Sequence, residues 1–199
     1  MRFSLYPTAL TAVVVLASLA VAQAVTTSKP QADSFAKKLA VIKQHAERSP
    51  ETARRTTVTE GEVNSWFVYR AKPLLPAGVK DPSVMAVGSG KLLGVVTVDL
   101  EDIGKQKSNG GSDAWRLLGG QLPISLSGVL RTKDGRGQFE LQSASLAGVP
   151  VPKALVQELV THYTRTDEKP DGIRLDEAFS LPANIKQIDV GQGQAIVVQ

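Results

Sequence analysis

Leu122-Pro123-Ile124-Ser125-Leu126-Ser127 alternates apolar with small or turn-forming residues. The pattern runs on to Leu130-Arg131 and returns as Phe139-Glu140-Leu141 after Lys133-Asp134-Gly135-Arg136-Gly137. A two-residue period puts Leu122, Ile124, Leu126 and Leu130 on one face of an extended strand and the serines on the other, so one face is buried and one is wet. Asp134-Gly135 supplies the positive φ that a tight hairpin turn needs. On the return strand Phe139 and Leu141 share a phase that Ala144 and Leu146 do not, which predicts a bulge near Ser143 and a bend in the sheet.

The same texture recurs on either side. Residues 83–88 and 92–100 flank Gly88-Ser89-Gly90-Lys91, and residues 185–190 and 195–198 flank Gly191-Gln192-Gly193; both read as hairpins. Helical spacing appears elsewhere. Phe35, Leu39, Ile42 and Ala46 predict an amphipathic helix over 31–48, opened by Pro30 and stopped by Ser49-Pro50. Thr59-Glu60-Gly61-Glu62 fits a capping box, with Val58 and Val63 at the staple positions and Val63, Trp66 and Phe67 on one face of the helix that follows. Pro152 opens a third helix carrying Leu155, Val156, Leu159, Val160 and Tyr163 as a stripe. The order helix, helix, hairpin, hairpin, helix, hairpin lacks strand–helix alternation and predicts an α+β fold, a curved antiparallel sheet packed against helices. Residues 101–121 form the one long connection, with a short helix expected near 113–118 and Trp115 beside a polar loop.

Composition bounds the rest. The 199 residues carry 23 Lys+Arg, 19 Asp+Glu, two His and no Cys. That excludes disulfide scaffolds, Cys-ligated metal sites and cysteine nucleophiles. Residues 1–24 begin Met1-Arg2, continue through an apolar run from Ala9 to Val21 and end Ala22-Gln23-Ala24, the order of a secretory signal with cleavage before Val25. The apolar run is 13 residues, where a membrane span needs about 20. The expected organisation is a signal peptide over 1–24, a basic amphipathic helix and connection over 25–57, and a single α+β domain over 58–199. Export implies a periplasmic or secreted protein, although retention of 1–24 as an anchor stays open.

No catalytic constellation is readable. Gly88-Ser89-Gly90-Lys91 lacks the first Gly and the final Ser or Thr of a phosphate-binding loop, and Gly110-Gly111-Ser112-Asp113-Ala114 falls one residue short of a nucleophile elbow. His45 and His162 have no ligand at metal spacing, and Asp99-Leu100-Glu101-Asp102 lacks the pattern of a calcium loop. Neither an enzyme activity, a cofactor nor a metal is expected. Within 25–60 the basic residues Lys29, Lys37, Lys38, Lys43, Arg48, Arg54 and Arg55 stand against Asp33, Glu47, Glu51 and Glu60, an excess of +3, while 61–199 balances. Export argues against nucleic acid as a partner. Lys37, Lys38 and Lys43 suit an anionic membrane surface, or are simply solvated lysines of a helix packed on its own sheet.

Thr59-Glu60-Gly61-Glu62-Val63-Asn64 resembles the T-E-x-E-L-N opening of small exported bacterial domains of unknown function. Val149-Pro150-Val151-Pro152 and Phe179-Ser180-Leu181-Pro182-Ala183-Asn184-Ile185 look similar to later pieces of those domains. Such proteins distantly resemble the tubular lipid-binding superfamily, the bactericidal/permeability-increasing-like proteins, in which a long helix lies in a curved sheet with a lipid between them. The resemblance covers roughly 58–198. It implies a non-enzymatic envelope protein holding a lipid or other apolar ligand between helix and sheet. The expected lining is Val63, Trp66, Phe67, Trp115, Leu155, Leu159 and Tyr163. The alternative is a structural or protein-interaction module of the envelope, with an envelope protein as partner and no small ligand.

Overall fold

The computed structural model describes residues 26–48, 52–76, 78–99, 120–165, 170–172, 174–175 and 177–199, with the backbone alone for Leu159, His162, Tyr163 and Thr164. The expected signal peptide over 1–24, Trp115 and the short helix expected near 113–118 lie outside the described residues, as do the side chains of Leu159 and Tyr163.

Among the described residues, three α-helices and nine strands build an α+β fold: α1 (Lys29–Arg48), β1 (Arg55–Thr59), α2 (Glu60–Tyr69), β2 (Val79–Gly88), β3 (Lys91–Asp99), β4 (Gln121–Lys133), β5 (Arg136–Leu146), β6 (Val149–Pro150), α3 (Lys153–Thr164), β7 (Phe179–Ser180), β8 (Gln187–Val190) and β9 (Gln194–Val198). All strand pairs are antiparallel, in two sheets: β1-β9-β8, and β2-β3-β4-β5-β6 with β7 on the far end of β5. The three expected hairpins form. Ser89-Gly90 and Asp134-Gly135 are two-residue turns with both φ values positive (52° and 81°, 49° and 78°), the geometry that matches the right-handed twist of the flanking strands. The register of β4 against β5 slips between Ser127 and Gly128, where Ser127 faces Ser143 and Gly128 faces Leu141. The bulge thus lies at Gln142, beside the expected position. Gly128 is required there, since a Cβ would sit 2.6 Å from the Glu140 carbonyl oxygen.

Apolar residues form two clusters. Val98 and Ile124, with Val96, Leu122, Leu126, Leu146 and Leu155, join one face of the larger sheet to α3. Ile42, Val58, Ile185 and Val197, with Phe35, Val63, Leu181, Ala183 and Ile188, join α1 to the smaller sheet. Helix α1 therefore packs on the smaller sheet through this cluster. Its buried stripe is Ala32 and Ile42, while Leu39, expected inside, is exposed. Strand β1 (Arg55–Thr59) lies across the end of the stretch to residue 57 expected as helix and connection. Backbone bonds stitch the sheets at the hairpin tips: Gly90 N–H donates to Val190 O (3.1 Å), Gly135 N–H to Lys186 O (2.9 Å) and Gly193 N–H to Ala86 O (2.8 Å).

Candidate functional site

Helix α2 is fixed by the segment Thr59–Ser65, in which nearly every residue meets a different part of the fold. The Thr59 hydroxyl accepts the Glu62 amide (3.3 Å) and Glu62 Oε2 accepts the Thr59 amide (2.8 Å), the capping box the sequence predicts. Glu60 N–H donates to Gly193 O (2.9 Å) on the β8–β9 turn, and Glu60 Oε2 accepts Ala86 N–H (2.9 Å). Val58 and Val63 both enter the cluster under α1, the staple contact. Ser65, fully buried, accepts Ser28 N–H (3.0 Å) and donates to Gln31 Oε1 (2.9 Å).

Asn64 does the least expected work. Its Nδ2 donates to Val84 O and its Oδ1 accepts Val84 N–H, both at 2.8 Å. Strand β2 is the edge of the larger sheet. Glu60 and Asn64 thus occupy the outward hydrogen-bonding groups that an added strand would otherwise use, one of the ways natural sheets blunt an edge. Residues 60, 64, 67 and 68 share one helical stripe. The side chains that hold α2 to β2 therefore also set Phe67 and Val68 beside the sheet.

The Glu62 carboxylate ties α2 to α1. It accepts from Lys38 Nζ (2.7 Å) and the Ser34 hydroxyl (2.6 Å). Burial pushes its pKa up, but the hydrogen bonds from Lys38, Ser34 and the Thr59 amide, together with the Lys38 charge, outweigh that and bring it from 4.5 to about 2. Lys38 also donates to Thr57 O (2.7 Å) on β1. Lys38 is thus engaged by Glu62 and β1 with 30% of its side chain exposed, whereas Lys37 and Lys43 are exposed. Arg70 at the end of α2 pairs with Asp33 of α1.

These contacts leave a groove of about 1210 Å³ on the face of the larger sheet opposite α3. Its floor is set by register. Met85 of β2 pairs with Leu93 of β3, which pairs with Ser127 of β4 and Ser143 of β5; the adjacent row is Ser83, Val95, Ser125 and Ser145. Met85, Leu93 and Val95 are 47%, 37% and 40% exposed, a large allowance for apolar side chains on adjoining strands. Phe67 and Val68 of α2, with Leu75 beyond it, form the wall.

Of the expected lining residues, only Phe67 reaches this groove among the described side chains. Val63 packs under α1, Trp66 stands edge-on to Phe35 (centroids 5.8 Å, interplanar 78°) behind Phe67, and Leu155 fills the core on the opposite sheet face. The stripe of α3 packs onto its sheet at Leu155, and the open space lies across the sheet from it. Met85, Leu93 and Val95 went unnoticed in the sequence, though a signal was present: Leu92-Leu93 and Val95-Val96 make β3 apolar in both phases, the mark of a strand whose two faces both meet apolar partners. Among the described residues, no group of three or more His, Asp or Glu is placed to hold a metal, and no helix is long and apolar enough to cross a membrane. Comparison with protein-family models, curated proteins and solved structures finds no match to this chain.

Proposed function

We propose that the protein is an exported, non-enzymatic envelope protein that binds a lipid or similar apolar ligand in the open groove between α2 and the larger sheet. One observation carries the reading. Met85, Leu93 and Val95 lie side by side on three consecutive positions of the floor, exposed to solvent, with Phe67 and Val68 as a wall. Ligand grooves bind chiefly through such apolar lining, with a few polar groups for orientation. Export rests on the sequence of residues 1–24, and the resemblance to tubular lipid-binding proteins agrees with a lipid-class ligand while pointing to a different sheet face.

Val95→Asp tests the reading. A carboxylate on the floor of an occupied groove loses water without gaining a partner, so affinity for an acyl-chain ligand should fall at least about tenfold. The variant should melt close to the wild type, because Val95 faces solvent in the free protein. Displacement of a fluorescent fatty-acid probe measures both proteins. Equal affinity of wild type and variant contradicts the proposal.

A further inference from the structure

We infer that the ligand ends in an uncharged, hydroxyl-bearing head group seated on a four-serine patch, with the Ser127 hydroxyl as its anchoring hydrogen bond. This rests on the lipid-class reading of the groove and adds the chemistry of the ligand's polar end. The floor is divided by its own register. Its β2–β3 half is Met85, Leu93 and Val95 with Ser83 at the edge; its β4–β5 half is the facing pairs Ser127–Ser143 and Ser125–Ser145. Facing side chains on neighbouring strands stand about 5 Å apart at Cβ, so four hydroxyls form a two-by-two array beside an apolar bed.

Ser127 sits where the two halves meet, its neighbour across β3 being Leu93. The residue as a whole is only 9% exposed, its side chain makes no hydrogen bond among the described residues, and its hydroxyl oxygen still reaches the groove. A hydroxyl that opens on the groove and has no protein partner offers a hydrogen-bonding group that a ligand seated there can engage. Charge decides what that group is. The charged lining residues are Glu60, Lys72, Lys80 and Asp81, all on the α2 and β2 side, where Glu60 is engaged by Ala86 N–H and Lys80 pairs with Asp99 at 3.4 Å. Farther along β4 and β5, Arg131 and Glu140 pair with each other at 3.3 Å. Among the described residues no charged lining residue belongs to β4 or β5, so a phosphate, carboxylate or ammonium over the serines would have its nearest lining charges, such as Lys72 and Lys80, on the α2 and β2 side rather than beside it. A glyceryl or glycosyl group has the right complement, because its hydroxyls both donate and accept, as the serines do. The chain then lies across the strands with its apolar end toward Phe67 and Val68.

Monooleoylglycerol, oleate, oleoyl lysophosphatidate and oleylamine share one chain and differ in head group, so their titration separates the two halves of the claim. Monooleoylglycerol should bind about tenfold more tightly than each charged probe. Ser127→Ala should weaken monooleoylglycerol about fivefold, the size expected for one neutral hydrogen bond, and leave the charged probes unchanged. Ser125→Ala, at an exposed position, gives a second reading of the patch with a smaller loss in the same direction. Tighter or equal binding of a charged probe, or an unchanged affinity in both serine variants, overturns the inference; the apolar-groove reading then stands if Val95→Asp still weakens binding at least about tenfold. Failure of all four probes to bind overturns both.

Discussion

Asn64→Asp is expected to destabilise the protein by about 4 kcal/mol at neutral pH. The carboxylate can still accept Val84 N–H, but it replaces the donor at 2.8 Å from Val84 O with a second acceptor, so a buried charge faces a carbonyl oxygen. Leaving a buried group unsatisfied costs about 1–3 kcal/mol, and more when it is charged. Asn64→Ala, which removes both bonds without adding charge, should cost about 2 kcal/mol. Urea unfolding checks the order. The deficit of Asn64→Asp relative to wild type should narrow as pH falls, because a protonated carboxyl regains a donor. The loosened edge of β2 should also make both variants associate at high protein concentration. A variant within about 1 kcal/mol of wild type would show that this pairing does not hold α2 to β2.

Glu62→Gln should cost about 3 kcal/mol, since it leaves the Lys38 ammonium beside an amide in a mostly buried network and weakens the tie between α1 and α2. The pH dependence follows from the depressed pKa. With 4.5 as the ordinary value and about 2 in the folded protein, Glu62 contributes its full stabilisation above pH 4.5 and loses it as pH falls toward 2. Wild type should therefore lose stability across that window faster than Glu62→Gln, and the two unfolding curves should converge near its lower end. A constant difference between them from pH 6 to pH 2 would contradict the assignment.

How much of this was legible in the sequence follows from what each signal encodes. Turn chemistry and two-residue alternation are local, so Asp134-Gly135, Gly88-Ser89-Gly90-Lys91 and Gly191-Gln192-Gly193 marked the three hairpins, and the phase change after Leu141 marked the bulge. The capping box is local too. Strand β1 was missed because Arg55-Thr56-Thr57-Val58 offers one buried valine and is held by pairing with β9, about 140 residues away. The groove was missed for a related reason. An apolar stripe on a helix tells that something covers it, not what, and α3 covers core on one sheet face while the ligand-sized space lies on the other. The Thr59–Asn64 motif was visible as a pattern, but the roles of Glu60 and Asn64 depend on β2, some 20 residues on. Their polar side chains read as helix surface until the edge strand is in place.

On the proposed function, Met85, Leu93, Val95, Phe67 and Val68 form a bed for a lipid-class ligand. Native mass spectrometry of the folded protein after incubation with a total bacterial envelope lipid extract tests it most directly. The expected result is a discrete added mass of one lipid per protein chain, retained under gentle activation and absent from Val95→Asp treated in the same way. Wild-type protein recovered without any added lipid mass, or the same adduct at the same occupancy in Val95→Asp, would contradict the claim.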